Sequence, residues 1–507
     1  MQIPDADRIT RREAPERSDA RFFLNPYHFV SAPPRGGRPA LGDHAPASHG
    51  VAEPGMYAAR VPIVLTTRTP LLVPDQPRGY SKGKGPRVLR TRVDRAGQAV
   101  LSGSTVKGML RAAYEAITNS RYGVFDPRHA EIGSIRVDRT RRYFTHSPKE
   151  LTPLSLLPAT QWDGLSPADR VFGWVLDRDT SDAVSNTRGR REKTAVKGHL
   201  RVTAPQVLDA PDGQSVQELV DSGESKPLGL SILNTPKPTQ YRFYTLDGTG
   251  NPISRAPKSE LGGFRRGDQL RGRKFYLPHA DVFDDNRGSR SYWMSRDPFH
   301  PVKVNGRQRY PEHVTVVDDK PEVSIAVKNW VPAGTTFGAE LFIDNVSVSE
   351  LGALLWLLAL PEQSVFTMGL GKPLGFGAVR VDADWDHVQI STPDEIRQRY
   401  RSLAAAARQL STGAGGNKEI AQKSISHFDQ MLRQDEQLKT VRAEFLDATM
   451  GYSGLPVHYP RVFGENNSTE PRPNTYEWWM KNEKKDKRAL PRMLPSKIPW
   501  LPYLHRR

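Results

Sequence analysis

The sequence predicts an α+β fold whose core is interrupted by a large loop-rich insertion and followed by a helical extension. Three observations lead there. Apolar or alternating runs, the pattern of half-buried strands, occur at residues 57–67, 197–203, 323–327 and 336–343. Helical patterns interleave with them, one opening at 101–111 and one at 351–360. Residues 390–450 then change to strong helix formers at helical spacing.

A chain of 507 residues can bury one large core or two to three smaller ones. Lys and Arg number 73 against 56 acidic residues, a formal charge of +17. That excess points to a polyanion partner, nucleic acid ahead of an anionic membrane surface. Cysteine is absent, which excludes disulfides, thiolate zinc sites and cysteine nucleophiles. The first 30 residues are charged and lack the apolar core of a secretory signal. The run at 351–360 is far short of the roughly 18 apolar residues a membrane span needs. The expectation is a soluble, cytoplasmic protein with no membrane partner.

Residues 1–56 read as an extended arm, with Phe22, Phe23, Tyr27 and Phe29 able to anchor it on a neighbouring surface. The β-branched run 57–67 is a first strand. After it, Arg78, Lys82, Lys84, Arg87, Arg90, Arg92 and Arg95 put seven cations in eighteen residues, opposed only by Asp75 and Asp94. The cluster lies between a strand and a helix, where a ligand-binding loop sits, and predicts phosphate contact. Ser104 or Thr105 can cap the following helix. Val106, Met109, Leu110, Ala113 and Ile117 fall along one face of it. Lys107 in the first turn makes its N-terminus suited to a phosphate.

The stretch 205–320 interleaves aromatics and cations, as in Tyr241-Arg-Phe-Tyr244, Phe264-Arg-Arg266 and Arg271-Gly-Arg-Lys-Phe-Tyr276. Stacking of unpaired bases and a small satellite core explain this pattern equally well. Farther on, the turn Pro332-Ala-Gly334 separates two alternating runs, and Ser347 with Glu350 forms a capping box before the helix at 351–360. That helix is apolar nearly all round, so it is expected to be covered on both sides. Next comes Gly369-Leu-Gly-Lys-Pro-Leu-Gly-Phe-Gly377. Glycine permits tight folding with exposed N–H groups, and Lys372 suggests an anionic ligand. The spacing is neither that of a dinucleotide site nor that of a P-loop, and a plain hairpin loop remains an equal alternative. Residues 389–507 read as a helical extension and a tail with anchors at Trp478, Trp479 and Trp500.

Taken in order, these segments resemble the RAMP superfamily of CRISPR-associated proteins, and the backbone subunits of type III effector complexes in particular. Gly103, Ser104, Thr105, Lys107, Gly108, Leu110 and Arg111 match that family's early GSS-x-KG-x-LR helix start. Gly369, Gly371, Gly375 and Gly377 match its late G-x-G-x-x-x-G-x-G loop. Phe172-Gly173, Val331-Pro332, Gly334-Thr335 and Phe337 match two shorter segments between them. The likeness spans 57–204 and 321–386. It implies a ferredoxin-like (RRM-like) core in two parts, 57–204 and 321–388, around an insertion at 205–320 that has room for a second core. The arm 1–56 and the extension 389–507 lie outside it.

The resemblance further implies an RNA-binding subunit that grips a CRISPR RNA by its backbone and presents it to a target RNA in antiviral defence. Other CRISPR effector subunits would be its partners. The RNA-binding residues would be Arg78, Lys82, Lys84, Arg87, Arg90, Arg92, Ser104, Thr105, Lys107, Arg111, Gly369, Gly371, Lys372, Gly375 and Gly377. Such subunits often cleave the target with one aspartate in the loop after the first strand, helped by a metal. Here the matching place, near Gly85-Pro-Arg-Val88, has no carboxylate. Asp75 and Asp94 are the remaining candidates, and the reading leans away from an enzyme. No cofactor is implied, with Mg²⁺ needed only if RNA is cleaved. No metal ligands stand out, since His44, His49, His279, His300 and His313 are scattered. An endoribonuclease on the same fold and a scaffold with incidental charge are the competing readings.

Overall fold

The computed structural model describes residues 1–15, 18, 21–36, 41–75, 87–123, 146–176, 195–221, 223–231, 233, 240–253, 264–283, 287–314, 325–401, 414–463, 475–494 and 497–505. It is a mixed α/β protein built on one large antiparallel sheet. The sheet strands are β1 (Met56–Thr67), β2 (Leu200–Val202), β3 (Gln206–Asp209), β4 (Thr336–Ser347), β5 (Phe366–Thr367), β6 (Ala378–Ala383) and β7 (Gln389–Ser391). They lie in the order β5-β6-β1-β4-β2, with β7 also pairing β1 and β3 also pairing β4.

Alternation decides which face is covered. On β1, Val61, Ile63 and Leu65 are buried, and Leu65 sits in register between Phe337 of β4 and Val381 of β6. Successive strand side chains point to opposite faces, so one face is apolar and the other carries Arg60, Glu340 and Phe342. Helices α1 (Gly103–Ile117) and α2 (Val348–Leu358) join the buried face in one core. The predicted stripe on α1 (Val106, Met109, Leu110, Ala113, Ile117) is buried throughout. Each fully buried Leu, Ile or Val there contributes about 1.5–3 kcal/mol.

The capping box at the start of α2 is formed, with both reciprocal bonds between Ser347 and Glu350. Glu350 is also ion-paired with buried Arg170 at 2.8 Å, which ties in the short helix Pro167–Phe172. As expected of an all-round apolar helix, α2 is covered on its far side too. The cover is α3 (Ala414–Gln434), continued by α4 (Glu436–Met450). A Cβ at Gly352 would stand 2.3 Å from the Ser424 carbonyl oxygen, so the α2–α3 approach requires glycine. Trp356 donates to Asp429 across the same contact at 2.9 Å.

The run at 323–327 does not join the main sheet. Its described part, Ile325–Val327, pairs instead with Arg87–Leu89 on one side and Leu228–Gly229 on the other. Leu89 and Val327 bury their side chains in a second core with Leu72, Trp293, Trp330, Leu374 and Phe376. A third core closes the chain on itself. Phe22–Leu24 pairs Trp500–Pro502, and Tyr27–Val30 pairs Arg273–Tyr276. Phe23 stacks on His458 at 4.7 Å and meets Trp478 edge-on. The surface that the arm's aromatics anchor on is therefore this chain's own tail and insertion. Tyr241, Phe243 and Phe264 are fully buried, which decides for the satellite core at those positions and against base stacking. No helix of the described residues is long and apolar enough to cross a membrane.

Candidate nucleic-acid interface

The loop after β1 is a ribbon. Residues 70–75 run between two neighbours, and backbone bonds fix both. On one edge, the Asp75 N–H donates to the Arg90 carbonyl (2.8 Å), and the Arg92 N–H donates to the Val73 carbonyl (3.1 Å). On the other edge, the Leu370 N–H donates to the Leu72 carbonyl (3.0 Å), and the Gly377 N–H donates to the Pro70 carbonyl (2.9 Å). The basic segment and the Gly-rich loop, far apart in sequence, are therefore joined through one short strand.

The ribbon has a buried and an open face. Leu72, Leu89 and Thr91 are buried, whereas Asp75, Arg90 and Arg92 are exposed. Opposed residues of a ladder share a face, so Asp75 stands beside Arg90. Continuing the parallel register from Val327↔Leu89 brings Lys328 to the other side of Arg90. Arg87 is exposed at the start of the same strand. Lys328 drew no attention in the sequence, because its place beside Arg90 follows only from a long-range strand pairing. Arg78, Lys82 and Lys84 lie outside the described residues.

Asp94 has a local task. Its Oδ1 accepts from the N–H groups of Ala96 (2.8 Å) and Gln98 (2.9 Å), closing the turn that leads into α1. Asp75 stands beside Arg90 on the open face, while Asp94, exposed beyond Arg92, is committed to that turn.

The Gly-rich loop differs from an empty anion nest. Its amides at Leu370, Leu374, Gly375, Phe376 and Gly377 all donate to carbonyls of the chain. Its four glycines have positive φ and serve close packing. A Cβ at Gly369 would stand 2.5 Å from the Leu72 carbonyl oxygen, and one at Gly377 would stand 1.9 Å from that of Met368. Side chains at Gly371 and Gly375 would run into Phe376 and His279. The loop also carries Lys372. It is partly buried, and burial lowers its pKa.

The start of α1 follows the ribbon directly, since the Val100 N–H donates to the Arg92 carbonyl (2.9 Å). Its N-cap is Ser102, not Ser104 or Thr105, and the Ser102 hydroxyl accepts from the Thr105 N–H. Ser104 and Thr105 instead bond the Ser102 hydroxyl through their own, each at 2.8 Å. Gly103 must be glycine because a Cβ would stand 2.5 Å from the Val202 carbonyl oxygen. Lys107 turns toward β2 and donates to the Leu200 carbonyl at 2.7 Å. Partial burial, with the nearby charges of Arg111 and Lys197, holds its pKa below the usual lysine value. Arg111 binds the Gly173 carbonyl (2.7 Å) and Asp169 (3.1 Å), linking the helix motif to the Phe172-Gly173 motif. The ribbon and the Gly-rich loop are thus brought together, while Lys107 and Arg111 serve the β2 side of the core. Among the described residues no cluster of His, Asp or Glu could hold a metal ion.

No family model matches this sequence, and no curated protein matches it. Solved structures do. One chain of a structure named "Type IV-B CRISPR Complex" is 16% identical, with a TM-score of 0.25 over 69% of this chain and 99% of that one. Csc2 of Thermofilum pendens is 10% identical, with a TM-score of 0.26 over 78% and 87%. Oligomeric Cmr4 of Pyrococcus furiosus is 10% identical, with a TM-score of 0.22 over 66% and 100%. At such identities and scores the chemistry of the interface rests on this chain's own residues.

Proposed function

We propose that the chain is an RNA-binding subunit of a CRISPR effector complex, holding a guide RNA by its backbone for pairing with a target. One observation carries this reading: Arg90 and Arg92 leave a single exposed face, flanked by Lys328, on a ribbon bonded along its other edge to the Gly-rich loop. A row of exposed guanidinium groups on a rigid ladder suits successive phosphates, while base pairing reads the sequence. The net charge of +17 agrees with it. We further infer a ferredoxin-like core. It is supported by the order β6-β1-β4-β2 and by α1 and α2 following β1 and β4.

The test is to purify the full chain, alone and with its neighbouring subunits, and to sequence the nucleic acid that accompanies it. The expected result is RNA of defined length whose affinity falls steeply with salt. Absence of RNA, or affinity indifferent to salt, overturns the reading in favour of a scaffold.

One observation favours a second reading, an Mg²⁺-dependent endoribonuclease: Asp75 stands among the cations of that face. An acid there could serve attack by a neighbouring 2′-OH.

A further inference from the structure

A cavity of about 490 Å³ opens between the arm, the insertion, α4 and the tail, away from the ribbon. Its walls are largely apolar, from Pro33, Pro34, Leu151 and Leu270, and two arginines, Arg271 and Arg492, are among the residues that line it. Arg492 has partners, bonding Glu444 (3.3 Å), Ser31 (3.4 Å) and the Gly250 carbonyl (3.1 Å).

Arg271 differs. Only 5% of it is exposed, its Nη2 donates to the Arg242 carbonyl at 3.1 Å, and its Nε has no partner. No carboxylate of the described residues pairs with it. Burial, and then the charge of Arg492, push its pKa down to about 9. Beside it, His28 is kept neutral by burial and by the Arg271 charge. A buried cation without a counter-charge is strongly unfavourable unless something else supplies that charge. Here the uncompensated cation lines an open cavity.

We propose that this cavity binds a nucleoside monophosphate unit, with its phosphate on Arg271 and Arg492 and its ring against the proline and leucine wall. The volume lies within the range of roughly 300–1,000 Å³ typical of small-ligand sites, which are mostly apolar with a few placed polar groups. The planar guanidinium fork matches phosphate oxygens. Gln269 and Thr440 on the rim can bond a ribose or a base edge. The unit could be a free nucleotide or the 5′ end of an RNA, and the same chemistry recognises both. The site uses no residue of the ribbon, so it stands or falls separately from the RNA face.

The test uses full-length protein stripped of nucleic acid, titrated with AMP, adenosine and inorganic phosphate by calorimetry. AMP is expected to bind at least tenfold tighter than adenosine or phosphate. Arg271→Met and Thr440→Trp, which remove the cation and fill the mouth, should each weaken AMP at least tenfold. R90A/R92A should bind AMP as the wild type does. R271M provides a folding control: without ligand it should melt no lower than the wild type, because an apolar side chain replaces an unpaired buried charge. Competition by a 5′-phosphorylated trinucleotide identifies an RNA end as the ligand, and failure to compete identifies a free nucleotide. The proposal is overturned if AMP does not bind, or if R271M binds it unchanged. It is equally overturned if R271M melts well below the wild type and AMP leaves the wild-type melting temperature unmoved.

Discussion

Asp75 and Arg90 face each other across the ribbon, the N–H of one bonded to the carbonyl of the other at 2.8 Å, with both side chains on the open side. The carboxylate therefore weakens the local positive field where a phosphate would sit. Asp75→Asn should raise RNA affinity about 1.4- to fivefold, the size expected of an exposed charge worth about 0.2–1 kcal/mol. Fluorescence anisotropy with labelled guide RNA measures it. In the same samples with Mg²⁺, a complementary target should stay intact. Target cleavage that disappears in D75N would instead establish the endoribonuclease.

The two arginines on the same face should act through counterion release. Each phosphate left without its cation should flatten the slope of log affinity against log salt by about 0.7 for a single strand. Arg90→Ala with Arg92→Ala should therefore flatten it by about 1.4 and leave the melting temperature unchanged, since both side chains are exposed. An unchanged slope would remove this face from the interface.

How much of this was legible in the sequence follows the range of the interactions. The buried stripe of α1, the alternation of β1 and the Ser347–Glu350 capping box are set by neighbours within a turn or two, and pattern alone locates them. Three hydroxyl residues close together, Ser102, Ser104 and Thr105, offer no local choice of cap. Ser102 is the cap, and the next residue, Gly103, lies so close to the Val202 carbonyl of a distant strand that no Cβ fits there. The glycines at 369–377 are conspicuous in composition, yet whether their amides are available depends on Pro70 and Leu72. In the same way, the aromatic anchors at Phe23 and Trp478 stand out individually. That they meet each other follows only from chain closure.

Two glycines separate packing from recognition. Gly377 has φ +73°, and a Cβ would stand 1.9 Å from the Met368 carbonyl oxygen. Gly377→Ala should cost about 3 kcal/mol or more and lower the melting temperature markedly. Gly108 has a helical backbone, is exposed within α1, and has nothing within 4 Å of a Cβ. Gly108→Ala should stabilise the protein by about 1 kcal/mol. If RNA passes over this face of α1 beside Lys107, the same methyl group should lower RNA affinity, because glycine there permits close approach. Stabilisation with full affinity would take α1 out of the interface.

Buried histidines should make the fold acid-sensitive. Burial drives the pKa values of His28, His279 and His313 from 6.5 down to about 3, and lowers that of His458. A group whose folded pKa is depressed is protonated first in the unfolded chain. Stability is therefore complete above pH 6.5 and falls as pH drops toward 3, by up to ~1.4 kcal/mol per pH unit for each histidine. Glu312, pushed up by burial to about 7, and Asp447, pushed up to about 6, work in the opposite sense. Between pH 6 and 4.5 these two carboxyl groups hold protons in the folded state that the unfolded state releases. Burial also raises the carboxyl groups of Glu115, Asp169, Asp268 and Glu444 and lowers His199, so the contribution of one histidine is read from the difference between the wild type and its variant. Between pH 6.5 and pH 5 the wild type should lose up to ~1.4 kcal/mol per pH unit of unfolding free energy relative to His279→Gln, measured by urea titration of both. His279 lies under Gly375, so this loss loosens the Gly-rich loop as well. A difference between the wild type and His279→Gln that stays constant from pH 7 to pH 5 would show that this ring is not held neutral in the folded protein.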